Sequence, residues 1–243
     1  MPYAPENRFI AALGDEEAMA LRPLLRRVTV TAEQIVVDQG APVKEVHFPI
    51  DSQFANLIRF PDGGAVETAV VGNEAVTGLA AFMADRGCAW EIVCRAAGEA
   101  YVVSAPALRA LIVDRPGLMA RLLALTDLYQ AQAAQTAACN AVHAVPDRIA
   151  RWILTASDLS PHETLFFRQE ELAQLIGARR STVSEAASQL RRRRVIAYSR
   201  GVIRIVDRHG LEAAACDCYR MLKPRLDDLY GVAAGAGDVG WAT

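Results

Sequence analysis

The sequence predicts an α+β protein: an N-terminal antiparallel β-roll (a double-stranded β-helix), a long dimerisation helix and a C-terminal winged helix-turn-helix domain. Three observations lead to this prediction. Residues 26–104 form many short β-rich runs separated by turns. Residues 116–144 keep one unbroken helical pattern. From residue 169 onward, a short helix, a glycine turn, a second helix rich in small polar residues and a basic hairpin follow one another.

Length and composition favour two compact domains. The 243 residues are 52% hydrophobic, which is enough to bury a sizeable core. The apolar runs are short and broken by charge, and the first twenty residues lack a signal-peptide pattern, so a cytoplasmic protein without membrane contact is expected. The expected divisions are a β-roll sensor domain at 1–115, the dimerisation helix at 116–144, a winged helix-turn-helix domain at 145–230 and a flexible tail at 231–243.

The β-roll is predicted from six β-rich runs. Asp62-Gly63-Gly64 lies between two of them and is a strong hairpin signal, because glycine accepts the positive φ of tight turns. Strands at this spacing are typical of a sandwich or barrel. The predicted strands span residues 25–30, 34–37, 43–50, 54–60, 65–71 and 90–103.

The long helix begins at Pro116, which suits a first turn because a missing N–H costs nothing there. Residues along it recur at alternating spacings of four and three, as in a coiled-coil seam. Two interpretations stay open: the seam joins two copies of the chain, or it packs on the core of its own domain. Pro146 is expected to push Val145 out of the α region and so to place a hinge after the helix. The predicted dimer contacts are Leu118, Leu122, Leu125, Tyr129 and Gln132.

Positive charge is concentrated in one segment, although the whole chain has a net charge of −2. Residues 179–208 hold nine arginines against two acidic residues, a local charge of +7. Such a patch is typical of phosphate contact, because each neutralised phosphate releases condensed counterions. A solvated helix face is the alternative interpretation.

The two helices of the basic segment are predicted at Gln169–Ile176 and 180–191, with Gly177-Ala178 as the tight turn between them. Apolar residues of the second helix recur at helical spacing and form a buried stripe. The other face then presents short polar groups with one arginine and one acid, the residue types that hydrogen-bond to base edges. Arg180 is the predicted guanine-reading residue, unless it only pairs with an acidic neighbour such as Glu185.

A β-hairpin with an arginine at its tip follows the second helix and is interpreted as a wing that contacts the sugar-phosphate backbone. Ser199-Arg200-Gly201 forms its turn. The predicted DNA-contact residues of the whole segment are Gln169, Arg179, Arg180, Ser181, Ser184, Glu185, Ser188 and Arg200.

Catalysis, metals and cofactors are not predicted. A β-roll enzyme would need about three converging metal ligands, and His47 is the one histidine in the strand region. A lone histidine with apolar neighbours is more often a core residue. Five scattered cysteines without a CxxC pair argue against a disulfide framework and indicate reduced thiols. Cys216 and Cys218 are expected on different faces of a helix at 211–222 in a structural role, with thiol redox sensing as the alternative.

In the order of its elements and in one motif, the chain resembles the Crp/Fnr family of bacterial regulators over about residues 8–208. The specific motif runs from Glu171 through Gly177 to Glu185 and includes Arg-x-Thr-Val at the start of the second helix; Arg148-Ile149-Ala150-Arg151 resembles the family's first helix after the hinge. The resemblance implies a homodimer whose two recognition helices enter successive major grooves. The implied partners are double-stranded DNA, a second copy of the chain, RNA polymerase and a small-molecule effector of unknown identity.

The sensor site departs from the cyclic-AMP-responsive members of that family. Where those members have polar anchors for the ribose, the phosphate and the adenine, this chain has Gly78-Leu79, Cys88-Ala89 and Ala133-Ala134, with Arg86 as the nearby cation. Cyclic AMP is therefore not expected to be the effector. The alternative function is a regulatory protein that binds a cyclic dinucleotide or a protein partner, with DNA binding secondary.

Overall fold

The computed structural model describes residues 7–83, 86–158, 164–167, 169–221 and 229–230. The strands are β1 Arg26–Val30, β2 Ile35–Val37, β3 Glu45–Pro49, β4 Gln53–Arg59, β5 Ala65–Val71, β6 Glu91–Ala96, β7 Gly98–Ser104, β8 Thr164–Phe166, β9 Ile196–Ser199 and β10 Val202–Ile205. The helices are α1 Arg8–Ala11, α2 Asp15–Leu21, α3 Ala80–Met83, α4 Ala105–Val113, α5 Pro116–Val142, α6 Val145–Asp158, α7 Gln169–Ile176, α8 Arg180–Arg192 and α9 Arg208–Ala214, with a 3-10 turn at Arg22–Leu24. The predicted tail, 231–243, lies outside the described residues.

The β-roll consists of two antiparallel sheets, of order β1-β7-β3 and β2-β6-β4-β5. The glycine turn after Asp62 joins β4 to β5, and Gly63 has a φ of +84°, as expected for a tight turn. The single strand predicted at 90–103 is wrong. The chain passes from one sheet to the other between β6 and β7, where the Glu99 N–H donates to the Asp51 carboxylate over 2.6 Å.

The apolar seam of α5 packs against the β-roll of its own chain. Leu118, Leu122 and Leu125 are completely buried and belong to the same core as residues of the two sheets. Tyr129 donates its hydroxyl proton to the Val76 carbonyl over 3.1 Å. Leu118, Leu122 and Leu125 are therefore not exposed to a second copy, which corrects the prediction for these three in favour of packing on the core of their own domain. Tyr129 is half-buried. Gln132 is half-buried on the next turn.

The break after α5 lies slightly earlier than predicted. The helix ends at Val142, and His143 adopts an extended conformation. Val145 and Pro146 already belong to the first turn of α6, so the expectation that Pro146 expels Val145 from the helix is wrong. A proline is tolerated at that point because first-turn N–H groups have no intrahelical partner.

The C-terminal domain packs α6, α7, α8 and α9 around a second hydrophobic core and adds a three-stranded sheet of order β8-β10-β9. The sequence did not predict β8, which is three residues long. The helix predicted at 211–222 is interrupted: residues 211–214 and 218–221 are helical, and residues 215–217 are not. The structure has α9, which begins after Asp207, whose side chain accepts from the Gly210 N–H, and ends at Ala214.

The second sheet of the β-roll touches the C-terminal domain through a buried polar contact. Glu67 on β5 accepts from Arg95 over 3.1 Å and from the Trp152 indole of α6 over 3.3 Å. Trp152 in turn meets the edge of Phe167, with ring centroids 4.3 Å apart. Burying a carboxylate costs less when an arginine and an indole both donate to it, so this contact joins the two domains at a defined position.

His47 makes folding sensitive to acid. Its ring is buried against Phe54, with centroids 5.3 Å apart, and burial lowers the pKa of His47 from 6.5 to about 4. The unfolded chain therefore binds this proton more tightly. The contribution of the neutral His47 ring to the free energy of unfolding is fully present above pH 6.5. The free energy of unfolding then falls, by about 3 kcal/mol at most, as the pH drops toward 4.

We expect His47→Gln to flatten this part of the pH dependence, since glutamine does not titrate. Urea unfolding measured between pH 8 and pH 5 checks it. An equal slope in wild type and His47→Gln would contradict the assignment.

Candidate nucleic-acid interface and effector cavity

The helix-turn-helix is formed by α7 and α8. Leu172 and Ile176 of the first helix and Val183 of the second are buried in the shared core. Gly177 has a φ of +64°, a conformation that a side-chain-bearing residue rarely adopts, and it turns the chain between the helices. Arg148 on α6 donates to the Ile176 carbonyl and so caps the end of α7. The predicted bounds of α7 and of the turn are confirmed.

The polar face of α8 carries most of the predicted DNA-contact residues. Arg180 opens the helix, directly after Arg179 as its N-cap residue. Because Val183, Ala186, Ala187 and Leu190 are buried, the remaining face points away from the core. On it Arg179, Arg180, Ser181 and Glu185 are exposed, while Ser184 and Ser188 are half-buried. Gln169 begins α7, and its side chain lies outside the described part of the structure.

Arg180 forms an ion pair that the sequence did not predict. Its guanidinium lies 2.7 Å from the carboxylate of Glu170 on α7, and the two side chains are 63% and 66% exposed. The acidic neighbour considered from the sequence was Glu185. An exposed pair of this kind contributes roughly 0–1 kcal/mol, so a guanine or a phosphate can displace the Glu170 carboxylate at small cost.

The wing is the hairpin of β9 and β10. Arg200 and Gly201 form its two-residue turn, with φ values of +51° and +79°, the combination found in type I′ hairpins. The Arg200 side chain is exposed at the tip. The predicted hairpin is confirmed, although its turn consists of Arg200 and Gly201 alone, because Ser199 pairs with Val202.

A groove of about 470 Å³ lies between α8 and the wing. Arg180, Ser184 and Ser188 line it from the helix, and Arg200 lines it from the wing. Among the lining residues absent from the predicted contact set are Arg191 and Tyr198. Tyr198 is fixed by its hydroxyl, which donates to the Phe167 carbonyl over 3.2 Å. Arg191 lies one turn beyond Ser188, so its cationic side chain extends the groove toward the arginine-rich end of α8.

A second cavity, of about 240 Å³, lies inside the β-roll against α5. Three of its polar atoms are buried without a hydrogen-bond partner: Asn56 Oδ1, Thr77 Oγ1 and Trp90 Nε1. The anchor positions Gly78, Leu79 and Ala133 line it, whereas Cys88, Ala89, Ala134 and Arg86 do not. Within the described residues its lining contains no charged side chain. The full lining is Asn56, Thr68, Ala69, Val76, Thr77, Gly78, Leu79, Met83, Trp90, Thr126, Tyr129, Gln130 and Ala133.

Comparison with known proteins matches residues 147–214 to the family of Crp-like helix-turn-helix domains. No protein with a curated description matches the chain. The matched segment contains all but the first two residues of α6 and the whole of α7, α8 and α9, and therefore includes the recognition helix and the wing that form the groove. No helix among the described residues has the length and apolar character needed to cross a membrane.

Several solved structures share the fold over most of the chain. FixK2 from Bradyrhizobium japonicum aligns with 79% of this chain and 98% of its own, at a TM-score of 0.69 and 14% identity. A Crp/Fnr-family transcriptional regulator from Thermus thermophilus gives 0.67 and 20% identity, with 78% and 98% covered. The c-di-GMP responsive global regulator CLP of Xanthomonas campestris gives 0.64 and 16%, with 79% and 99% covered.

Proposed function

We propose that this chain, which combines a Crp-like helix-turn-helix domain with the fold of the Crp/Fnr regulators, is a transcription regulator that binds a pseudo-palindromic DNA site as a homodimer. The observation that carries the proposal is the groove between α8 and the wing. It brings an exposed arginine, two serines and a basic hairpin tip onto one surface. We include RNA polymerase as a partner, because a transcription regulator changes the activity of that enzyme.

The geometry of the groove supports two different roles, base reading for Arg180 and phosphate binding for Arg200. An α-helix fits the major groove of B-DNA, where an arginine can donate two hydrogen bonds to guanine O6 and N7. Arg180 lies at the N-terminal end of α8, the part of a recognition helix that reaches base edges. Arg200 extends from the wing, where the nearest DNA groups are phosphates.

We place the dimer contact on a different face of α5 from the buried seam. Along this face, exposed residues recur at alternating spacings of three and four, and most of them are small. Leu123 lies on this face and is 53% exposed, so it offers an apolar side chain to the contact. The proposed contact residues are Ala120, Leu123, Asp127, Gln130, Ala134, Ala137 and Ala141.

The lining of the β-roll cavity favours an effector that is small and largely apolar. Its three unpartnered polar atoms offer one indole N–H donor, one amide acceptor and one hydroxyl. The sheet that walls the cavity also faces the C-terminal domain: Thr68 lines the cavity, and the adjacent Glu67 bonds to Trp152. Because neighbouring residues of a strand point to opposite faces, a ligand that moves β5 would also move the domain contact.

Cyclic AMP should not bind this cavity. A cyclic phosphate needs a cation or several donors, and the described lining contains neither arginine nor lysine. Calorimetric titration with millimolar cyclic AMP is expected to give no saturable heat. Micromolar affinity would refute this interpretation of the cavity.

A cyclic dinucleotide, the ligand class of the alternative function, is also not favoured. It carries two bases and two phosphates and is too large and too anionic for an uncharged cavity of about 240 Å³. The fold likeness to the c-di-GMP responsive regulator therefore supports no transfer of its ligand.

Genome-wide footprinting with the purified chain, with and without the small-molecule fraction of a cell extract, tests the proposed function. We expect discrete protected sites, and a change in their occupancy when the effector is present. Uniform, salt-sensitive binding without discrete sites under both conditions would contradict sequence-specific regulation.

A further inference from the structure

Four potential metal ligands converge where α5 ends. Cys139 and His143 are one helical turn apart at the C-terminal end of α5, and Cys216 and Cys218 lie just after α9. The Cys139 and Cys216 sulfurs are 3.5 Å apart, as are the Cys218 sulfur and His143 Nδ1. All four ligand atoms lie within 4.8 Å of one another. Because α9 ends at Ala214, the two late cysteines do not point to different faces of one helix as the sequence predicted.

These separations suit a single tetrahedral ion. With Zn–S and Zn–N bonds of about 2.3 and 2.0 Å, the ligand atoms of a tetrahedron lie roughly 3.5–3.8 Å apart. Three thiolates and one imidazole are a common structural zinc set. The three cysteines are buried and His143 is half-buried, as expected of a closed site that keeps no water position. An iron–sulfur cluster would have to fit several irons and sulfides between ligands that lie closer together than it requires.

Neighbouring side chains support a charged site of this kind. The amide of Gln135, one turn before Cys139, donates to the Cys218 sulfur over 2.9 Å, a contact that orients the ligand and favours its thiolate form. Arg148 interacts electrostatically with Cys139 and Cys216. Three thiolates around one divalent cation carry a net charge of −1, and the Arg148 guanidinium offsets it.

We propose that Cys139, His143, Cys216 and Cys218 bind one Zn²⁺ that ties the end of α5 to the segment following α9. Two ligands precede the break between α5 and α6 at Ala144, and two follow α9. The ion therefore fixes the orientation of that domain relative to α5. Metal binding itself is independent of the proposed function, whereas its effect on DNA affinity rests on it.

Metal analysis of the full-length chain, purified with a thiol reductant from zinc-supplemented cells, tests the site. We expect about one zinc per chain in wild type and about none in Cys216→Ser and Cys139→Ser. Cys94→Ser, which removes a buried cysteine of the β-roll, should keep the ion. Cys218→His should also retain it, because imidazole can replace a thiolate ligand, and Gln135→Leu should weaken zinc affinity by about 10–100-fold.

Cobalt substitution of wild-type protein needs no variant and so does not depend on variants folding. We expect the visible spectrum of tetrahedral Co²⁺ with thiolate charge-transfer bands. Wild type without zinc or cobalt uptake, zinc retained by both cysteine-to-serine variants, or a Cys139–Cys216 disulfide in reductant-treated protein would each overturn the proposal.

A measurement of DNA binding distinguishes a failure of the metal site from a failure of the proposed function. Zinc removal by a chelator should lower operator affinity in wild type, and restored zinc should recover it. A chain that binds zinc but no operator keeps the metal site and loses the proposed function. A chain that binds its operator without taking up zinc supports the proposed function and contradicts the metal site.

Discussion

Replacing Leu123 and Ala134 with glutamate is expected to convert the proposed dimer to a monomer and to lower operator affinity by about 10²–10⁴-fold. Both residues are exposed on the proposed dimer face of α5. Four glutamates facing one another across a helix pair would repel and would lose the apolar contact of Leu123. Each monomer would then hold one half-site without the effective concentration that its tether provides. Light scattering reports the mass and fluorescence anisotropy the affinity.

Two controls locate the contact. Val113→Glu changes an apolar residue on α4 that is 79% exposed, and it should leave both mass and affinity unchanged. Leu122→Glu instead places a charge in the β-roll core and should unfold that domain. A double variant that remains dimeric would place the interface on another surface.

The second large effect is expected from Arg180→Ala on the cognate site, a loss of about 1–3 kcal/mol, or roughly 5–150-fold. Discrimination should flatten at one base pair of each half-site, because the proposed role of this guanidinium is to read a guanine there. Arg200→Ala should weaken all sequences alike and reduce the salt slope by about one unit per half-site contact. Binding curves on the cognate site and on single-base variants separate the two roles.

Glu170→Gln provides a further control for Arg180. Without the Glu170 carboxylate at 2.7 Å, the guanidinium is released before DNA arrives, so affinity should rise by a few-fold at most. If Arg180→Ala lowers affinity equally on every sequence, the base-reading role is wrong and the residue acts through charge alone.

The helix-turn-helix could be predicted from sequence because its signals are local. Gly177 needs a positive φ, the stripe of Val183 and Leu190 has helical spacing, and Arg200-Gly201 fits a two-residue hairpin turn. Each of these follows from a short stretch of consecutive residues, so no long-range information is required.

The partner of an apolar seam could not be predicted in the same way. The spacing of Leu118, Leu122 and Leu125 identifies a buried face of α5 but not the surface that covers it. In this chain the β-roll covers the seam. The face assigned to self-association consists mostly of alanines, whose small side chains give only a weak hydrophobic pattern in the sequence. Periodicity reports burial, and it does not distinguish burial within a chain from burial between chains.

The cysteine cluster was missed for a related reason. Cys139 and Cys216 lie 77 positions apart, without the short spacing by which zinc motifs are found in sequence. The helix expected at 211–222 also placed Cys216 and Cys218 on different faces. Because α9 ends at Ala214, both cysteines can instead turn inward. Likewise, the Glu170–Arg180 pair arises from the packing of α7 on α8.

Selection of binding sites from a random DNA duplex library, in the presence of a small-molecule extract, tests the central claim most directly. A symmetric dimer with one recognition helix per chain should enrich an inverted repeat with half-site centres about 34 Å apart. Each half-site should contain a guanine whose preference disappears in Arg180→Ala. A selected pool without an inverted repeat, or with no more consensus than the starting library, would contradict a dimeric, sequence-specific regulator.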